Sequence, residues 1–90
     1  MLPETAIQYS IIKDPNSVMT PLKKMPSSIR EKITDAIDSL QADPRPPKHE
    51  IVTALGSIAT IKLTITQGWY LMYQIDDQLK KVCVLIVGRF

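Results

Sequence analysis

W-Y-L-M-Y-Q-I-D-D-Q-L-K-K-V-C-V-L-I-V-G, Trp69 to Gly88, holds two apolar runs, Trp69–Ile75 and Leu79–Val87, around a polar break at Asp76-Asp77-Gln78. Runs rich in aromatic and β-branched residues on either side of turn-forming residues read as a β-hairpin. The second run is apolar at both parities, with Val82, Val84 and Ile86 on one face and Cys83, Leu85 and Val87 on the other. Side chains alternate along a strand, so this strand is expected to be covered on both faces and to lie inside its sheet.

Working outward, Ile58–Thr66 alternates, with Ile61, Leu63 and Ile65 facing one way and Thr60, Lys62, Thr64 and Thr66 the other. Gln67-Gly68 is the turn into the hairpin, and Lys48–Leu55 reads as an irregular or extended piece closed by Gly56-Ser57. Pro26–Ala42 carries a helical stripe at Ile29, Ile33, Ala36, Ile37 and Leu40. Ser28 and Glu31 have the spacing of a capping box at its start. Asp43-Pro44-Arg45-Pro46-Pro47 stops the helix, because a residue before proline is pushed out of the helical region. Pro21 breaks Ser17–Met25 into a short or late-starting helix. Ala6–Lys13 alternates as a half-buried strand, with Ile7, Tyr9 and Ile11 on one side. The expected architecture is a two-layer α+β fold, β-α-(α)-β-β-β, with an antiparallel sheet against one or two N-terminal helices.

Size and composition fit one domain spanning residues 1–90: 44% of residues are hydrophobic and 22% charged. A net charge of +2 is far from that of a dedicated nucleic-acid binder, so any polyanion site has to be built locally. One cysteine excludes an internal disulfide and a Cys-based zinc site, and Cys83 is expected to be a small buried hydrophobe. The start, Met-Leu-Pro-Glu-Thr, lacks the basic and apolar regions of a secretory leader, so a soluble cytoplasmic protein is expected, without a membrane partner. No cofactor is implied: three glycines build no phosphate loop, and His49, the only histidine, has no second imidazole or thiolate for a metal.

Asp76-Asp77 reads as turn chemistry rather than a catalytic carboxylate pair. The remaining chemistry is basic: Arg45, Lys48, Lys62, Lys80, Lys81 and Arg89. Lys62 lies mid-strand opposite Ile61 and Leu63, on a face that is either solvated exterior or the receiver of a phosphate backbone. Tyr70, Tyr73 and Trp69 on the next strand could stack bases.

D-P-R-P-P at Asp43–Pro47 after an amphipathic helix, L-G at Leu55-Gly56, W-Y-L-M-Y-Q-I-D-D at Trp69–Asp77 and V-C-V-L-I-V-G-R at Val82–Arg89 resemble, in that order, the RelE/ParE toxin superfamily. Met25-Pro26 stands where members carry leucine-proline before the helix. In the RelE branch the resemblance implies a type II toxin, a ribosome-dependent endoribonuclease that cuts mRNA by attack of a ribose 2′-hydroxyl on the adjacent phosphate. Its partners would be an antitoxin, the ribosome and mRNA. The catalytic candidates are Lys62, Arg89 and Tyr70, and the RNA-contacting candidates Arg45, Lys48, His49 and Lys81. Tyr70 stands where the family's strand arginine is expected. Val52-Thr53-Ala54-Leu55-Gly56 replaces a basic segment, and the sequence ends at Phe90 where a basic or tyrosine tail would begin. These departures leave open a non-catalytic member: a ParE-like gyrase inhibitor, or a degenerate toxin that only binds its antitoxin. ParE-like members carry a longer N-terminal helical hairpin than Ser17–Met25 provides.

Overall fold

A computed structural model describes residues 8–66 and 68–89. The expected strand at Ala6–Lys13 is described from its second half only, as β1 (Ser10–Lys13); Ala6 and Ile7 lie outside the described residues, as does Gln67 of the expected turn. A π-helical turn (Pro15–Met19) follows and runs into the short α1 (Thr20–Lys23), with Pro21 in the first turn, where its missing N–H is harmless. Then come α2 (Ser27–Ser39), β2 (Glu50–Leu55), β3 (Ile58–Thr66), β4 (Trp69–Asp76) and β5 (Lys81–Arg89).

The five strands form one sheet in the order β1-β5-β4-β3-β2. β2, β3, β4 and β5 are antiparallel neighbours, while β1 runs parallel to β5, so the sheet is mixed rather than wholly antiparallel. β5 is an inner strand, as its sequence implies. Lys48–Leu55, ambiguous in sequence, supplies a real strand, β2, at the sheet edge. A two-residue loop with Gly56 at φ +62° joins it to β3. Glycine is required at this loop position for its backbone angle, not for space.

Both helices lie on one face of the sheet. Val18, Leu22, Ile33, Ile37 and Leu40 bury their side chains against Ile61, Leu63, Leu71, Tyr73, Ile75, Val82, Val84 and Val87. Fully burying one such aliphatic side chain contributes about 1.5–3 kcal/mol, so the α2 stripe is the main reason the sheet is covered on this side.

Four expectations are corrected. Ser28 and Glu31 form no capping box: α2 starts two residues earlier than that box requires, with Pro26 in the cap position and no side-chain cap. Pro26, at φ −55° and ψ 145°, fixes the entry direction instead. Leu79 is not in the last strand but in the four-residue turn before it, 61% exposed, because Lys80 at φ 55° turns the chain. The parity of β5 also changes part-way. Tyr73 pairs with Val84 but Met72 pairs with Ile86, so Leu85 is an extra residue in a β-bulge. The bulge moves Val87 to the helix face and Ile86 to the open one, where Ile86 is 42% exposed. With both helices on one side, Cys83 also sits on the open face and is half-buried rather than enclosed.

Candidate functional site on the open sheet face

The open face carries Thr60, Lys62 and Thr64 of β3, Tyr70, Met72 and Gln74 of β4, and Cys83, Ile86 and Gly88 of β5. Register decides which of these meet. Lys62 pairs with Met72, Thr64 with Tyr70, and Tyr70 with Gly88. The Lys62 ammonium lies 5.0 Å above the centroid of the Tyr70 ring, within cation–π range.

Gly88 makes that geometry possible. A Cβ at position 88 would run into Cζ and Oη of Tyr70 and come within 2.7 Å of Cε1. The tyrosine ring therefore lies flat against the β5 backbone, with the lysine reaching over it. Both Lys62 and Tyr70 are half-buried, so a cation, a phenol hydroxyl and an aromatic surface are held together at the β3–β4–β5 end of the face. Beside them run Met72, Ile86, Cys83 and, on β1, Ile12, an apolar strip that no helix among the described residues covers.

Arg89 is placed elsewhere. It is cross-strand from Trp69, and its guanidinium lies 5.4 Å from that ring. Trp69 packs against the core, so Arg89 points to the helix side of the sheet, away from Lys62 and Tyr70. A bulge between Thr64 and Thr66 likewise turns Thr66 to the helix side, where it meets Trp69. The structure thus brings together two of the three catalytic candidates.

The RNA-contacting candidates are also dispersed. Arg45 donates from Nη1 to Asp77 Oδ1 at 3.1 Å and from Nη2 to Oδ2 at 2.8 Å. Tyr9 donates to the same carboxylate at 2.9 Å. The Arg45 guanidinium, followed by the Tyr9 hydroxyl, holds the Asp77 carboxyl down at about 2, and Asp77 in turn raises Arg45. Arg45 is therefore a fastener between the proline-rich connector and the β4–β5 turn. His49 Nδ1 lies 2.7 Å from the carbonyl of Pro46, which can only accept, so Nδ1 carries a proton. Lys48 borders a cleft between the connector and β3. Lys81 pairs with Asp76, at the opposite end of β4 from Tyr70.

Of the aromatic stacking candidates, only Tyr70 is on the open face. Tyr73 is fully buried and donates to the Pro44 carbonyl at 2.8 Å; burial pushes its hydroxyl pKa up. Asp76 behaves as turn chemistry, accepting from the N–H groups of Gln78 and Leu79 at 3.0 and 3.1 Å. Asp77 does not. Gly88 is the residue that sequence reasoning missed, although a glycine inside an otherwise apolar strand is a known sign of close approach.

This arrangement of sheet and helices is the RelE-like α+β fold. The chain superposes on an archaeal RelE from a RelE–RelB complex of Pyrococcus horikoshii with a TM-score of 0.84 at 13% identity, over 91% of this chain and 94% of that one. A chain of the toxin–antitoxin complex RelBE2 of Mycobacterium tuberculosis matches with a TM-score of 0.72 at 20% identity, over 93% and 100% of the two chains. The isolated RelE toxin of E. coli gives 0.67 at 22% identity, over 90% and 83%. No family model matches the sequence, and no curated protein does. Among the described residues, no helix is long and apolar enough to cross a membrane.

Proposed function

We propose that this chain is the toxin of a RelE–RelB-like toxin–antitoxin pair and that its open sheet face cuts mRNA on the ribosome. The observation that carries the reading is the Lys62–Tyr70 pair, seated on Gly88 on the open face of a RelE-like fold. In transesterification the ribose 2′-oxygen attacks the adjacent phosphorus, the bond to the 5′-oxygen breaks, and one proton leaves the nucleophile while another reaches the leaving group. Lys62 offsets the charge that builds on the phosphate oxygens. The Tyr70 hydroxyl is the proton-carrying group beside it. Met72 and the Tyr70 ring give a base a surface to rest on.

The antitoxin would be a partner with a disordered segment that folds around the toxin. Induced expression should arrest growth and cleave ribosome-bound mRNA. Lys62→Ala should slow cleavage by about 10²–10³-fold, the loss of one charge-stabilising donor. If wild-type protein leaves translated mRNA intact while still binding its antitoxin, the nuclease reading fails.

That outcome defines the second reading, a member that binds without cutting. Two placements favour it: Arg45 is committed to Asp77, and Arg89 lies on the other side of the sheet. Its ParE-like form has less support, because α1 is a single four-residue turn. Inhibition of gyrase supercoiling by purified protein would establish that form and displace the ribosomal one.

A further inference from the structure

Where the start of α2 meets the Thr66 end of β3, the Trp69 end of β4 and the Arg89 end of β5, helix and sheet part around a cavity of about 540 Å³. Pro26, Ile29 and Lys32 line it from the helix and its cap; Thr66, Trp69 and Arg89 line it from the three strands. The cavity is on the helix side of the sheet, away from Lys62 and Tyr70. Its occupancy is therefore independent of the reaction proposed for that pair.

Register assembles the strand wall: Trp69 pairs with both Thr66 and Arg89. The Arg89 guanidinium lies 5.4 Å from the centroid of the Trp69 ring, within cation–π range. Its N–H donors lie in the plane of the group, so resting its face on the indole leaves them available at the edge. Ile29 and Trp69 pack on the core yet stay half-buried, which makes the floor apolar. Lys32, one turn beyond Ile29, faces Arg89 across the cavity. The two charged groups lining it are both cations; among the described residues no carboxylate does. Asp35, exposed one turn beyond Lys32 on the same side of α2, is the nearby acid. It does not line the cavity, and no ion pair joins it to Lys32 among the described residues. It lowers the local positive potential without cancelling it.

We propose that this cavity binds a nucleotide that ends in a phosphate. The base rests against Trp69 and Arg89, since indole and guanidinium planes stack with any base. The phosphate sits between Lys32 and the edge of Arg89, with the Thr66 hydroxyl as a further donor. A terminal phosphate carries a charge of about −1.5 to −2 at neutral pH, which matches two cations; a bridging phosphodiester carries one negative charge and matches them less well. The cavity volume is in the range that accepts a ligand of this size. A free mononucleotide and the 5′-phosphorylated end of an RNA strand present the same chemistry.

Trp69 is the chain's single tryptophan, so its emission, excited where tyrosine does not absorb, reads this cavity. The probes are AMP, adenosine and inorganic phosphate. AMP should quench Trp69 saturably and bind about tenfold or more tighter than adenosine or phosphate, the advantage shrinking as salt rises. Lys32 and Arg89 are exposed, so their substitution spares the fold. Lys32→Gln should weaken AMP about tenfold and leave adenosine unchanged, and Lys32→Gln with Arg89→Gln should abolish the preference for AMP. Asp35→Asn should strengthen AMP by about two- to threefold, by removing the nearby negative charge. A short RNA with a 5′-phosphate that binds tighter than AMP identifies a strand end as the source; AMP binding tighter identifies the free nucleotide. No saturable quenching, equal affinity for AMP and adenosine, or AMP binding untouched by the double substitution overturns the proposal.

Discussion

The ring of Tyr70 occupies the volume that any side chain at position 88 would need. A backbone in β5 and an aromatic in β4 are thus fitted to one another, and Lys62 closes the stack from above. Gly88→Ala should cost about 1–3 kcal/mol, the usual range for an overpacked site. The same substitution in a Tyr70→Ala background should cost much less, because the obstructing ring is gone. Urea unfolding of the four proteins measures this; an undiminished cost in the double variant would mean that the ring is not what excludes a side chain.

Asp77 makes the fold acid-sensitive in a defined window. Its carboxyl is held at about 2, chiefly by Arg45 and then by Tyr9, against 3.8 for the ordinary group. A depressed carboxylate contributes stability that is complete above the unfolded value and is lost as pH falls through the folded one. Stability should therefore decline from about pH 4 toward pH 2, and Asp77→Asn should flatten that part of the profile. Asp77 is 39% exposed, so solvent screens the interaction and its contribution at neutral pH is small. Thermal melts across pH 2–7 provide the measurement.

Tyr73→Phe removes a hydroxyl that is fully buried with the Pro44 carbonyl as its partner. The carbonyl is left without that donor, which should cost about 1–3 kcal/mol. Loss of the bond should also loosen the connector, so amide exchange should quicken around Arg45 and His49. Unchanged exchange there would show that the connector is held by Arg45 and Asp77 alone.

Ser17 donates to the carbonyl of Leu85, the extra residue of the β5 bulge. Ser17→Ala should cost about 1 kcal/mol. Its effect on amide exchange should concentrate at Val84–Ile86, with β3 unmoved. An effect spread evenly over the sheet would contradict a local role.

Much of this fold is legible in the chain. The hairpin of β4 and β5, the stripe of α2 and the alternation of β3 are read from periodicity, because each buries one face against the same core. The two parity errors have one physical origin. Leu85, and the Thr64–Thr66 step, are bulges, and a pattern of apolar residues does not say where a strand takes in an extra one. β2 was illegible for a different reason: every one of its six residues is exposed, so no buried face imposes alternation. At the site, Lys62 stands out by its strand position and Tyr70 by the resemblance, and register brings them together. Arg45 looked like a free cation because its partner Asp77 lies 32 residues on, and nothing local announces the pairing.

The parallel pairing of β1 with β5 sets the order in which the molecule can be completed. Among the described residues the first strand has no neighbour other than the last one, and Tyr9 and Ser10 are tied to Asp77 and Lys80 just ahead of β5. Contacts this distant in sequence form slowly, since the loop they close is nearly the whole chain. During synthesis α2 and the β2–β3 hairpin can form before β5 is made, but β1 must wait for Lys81–Val84 before it has a strand to pair with. The sheet is thus closed at this edge by pairing its first described strand with its last.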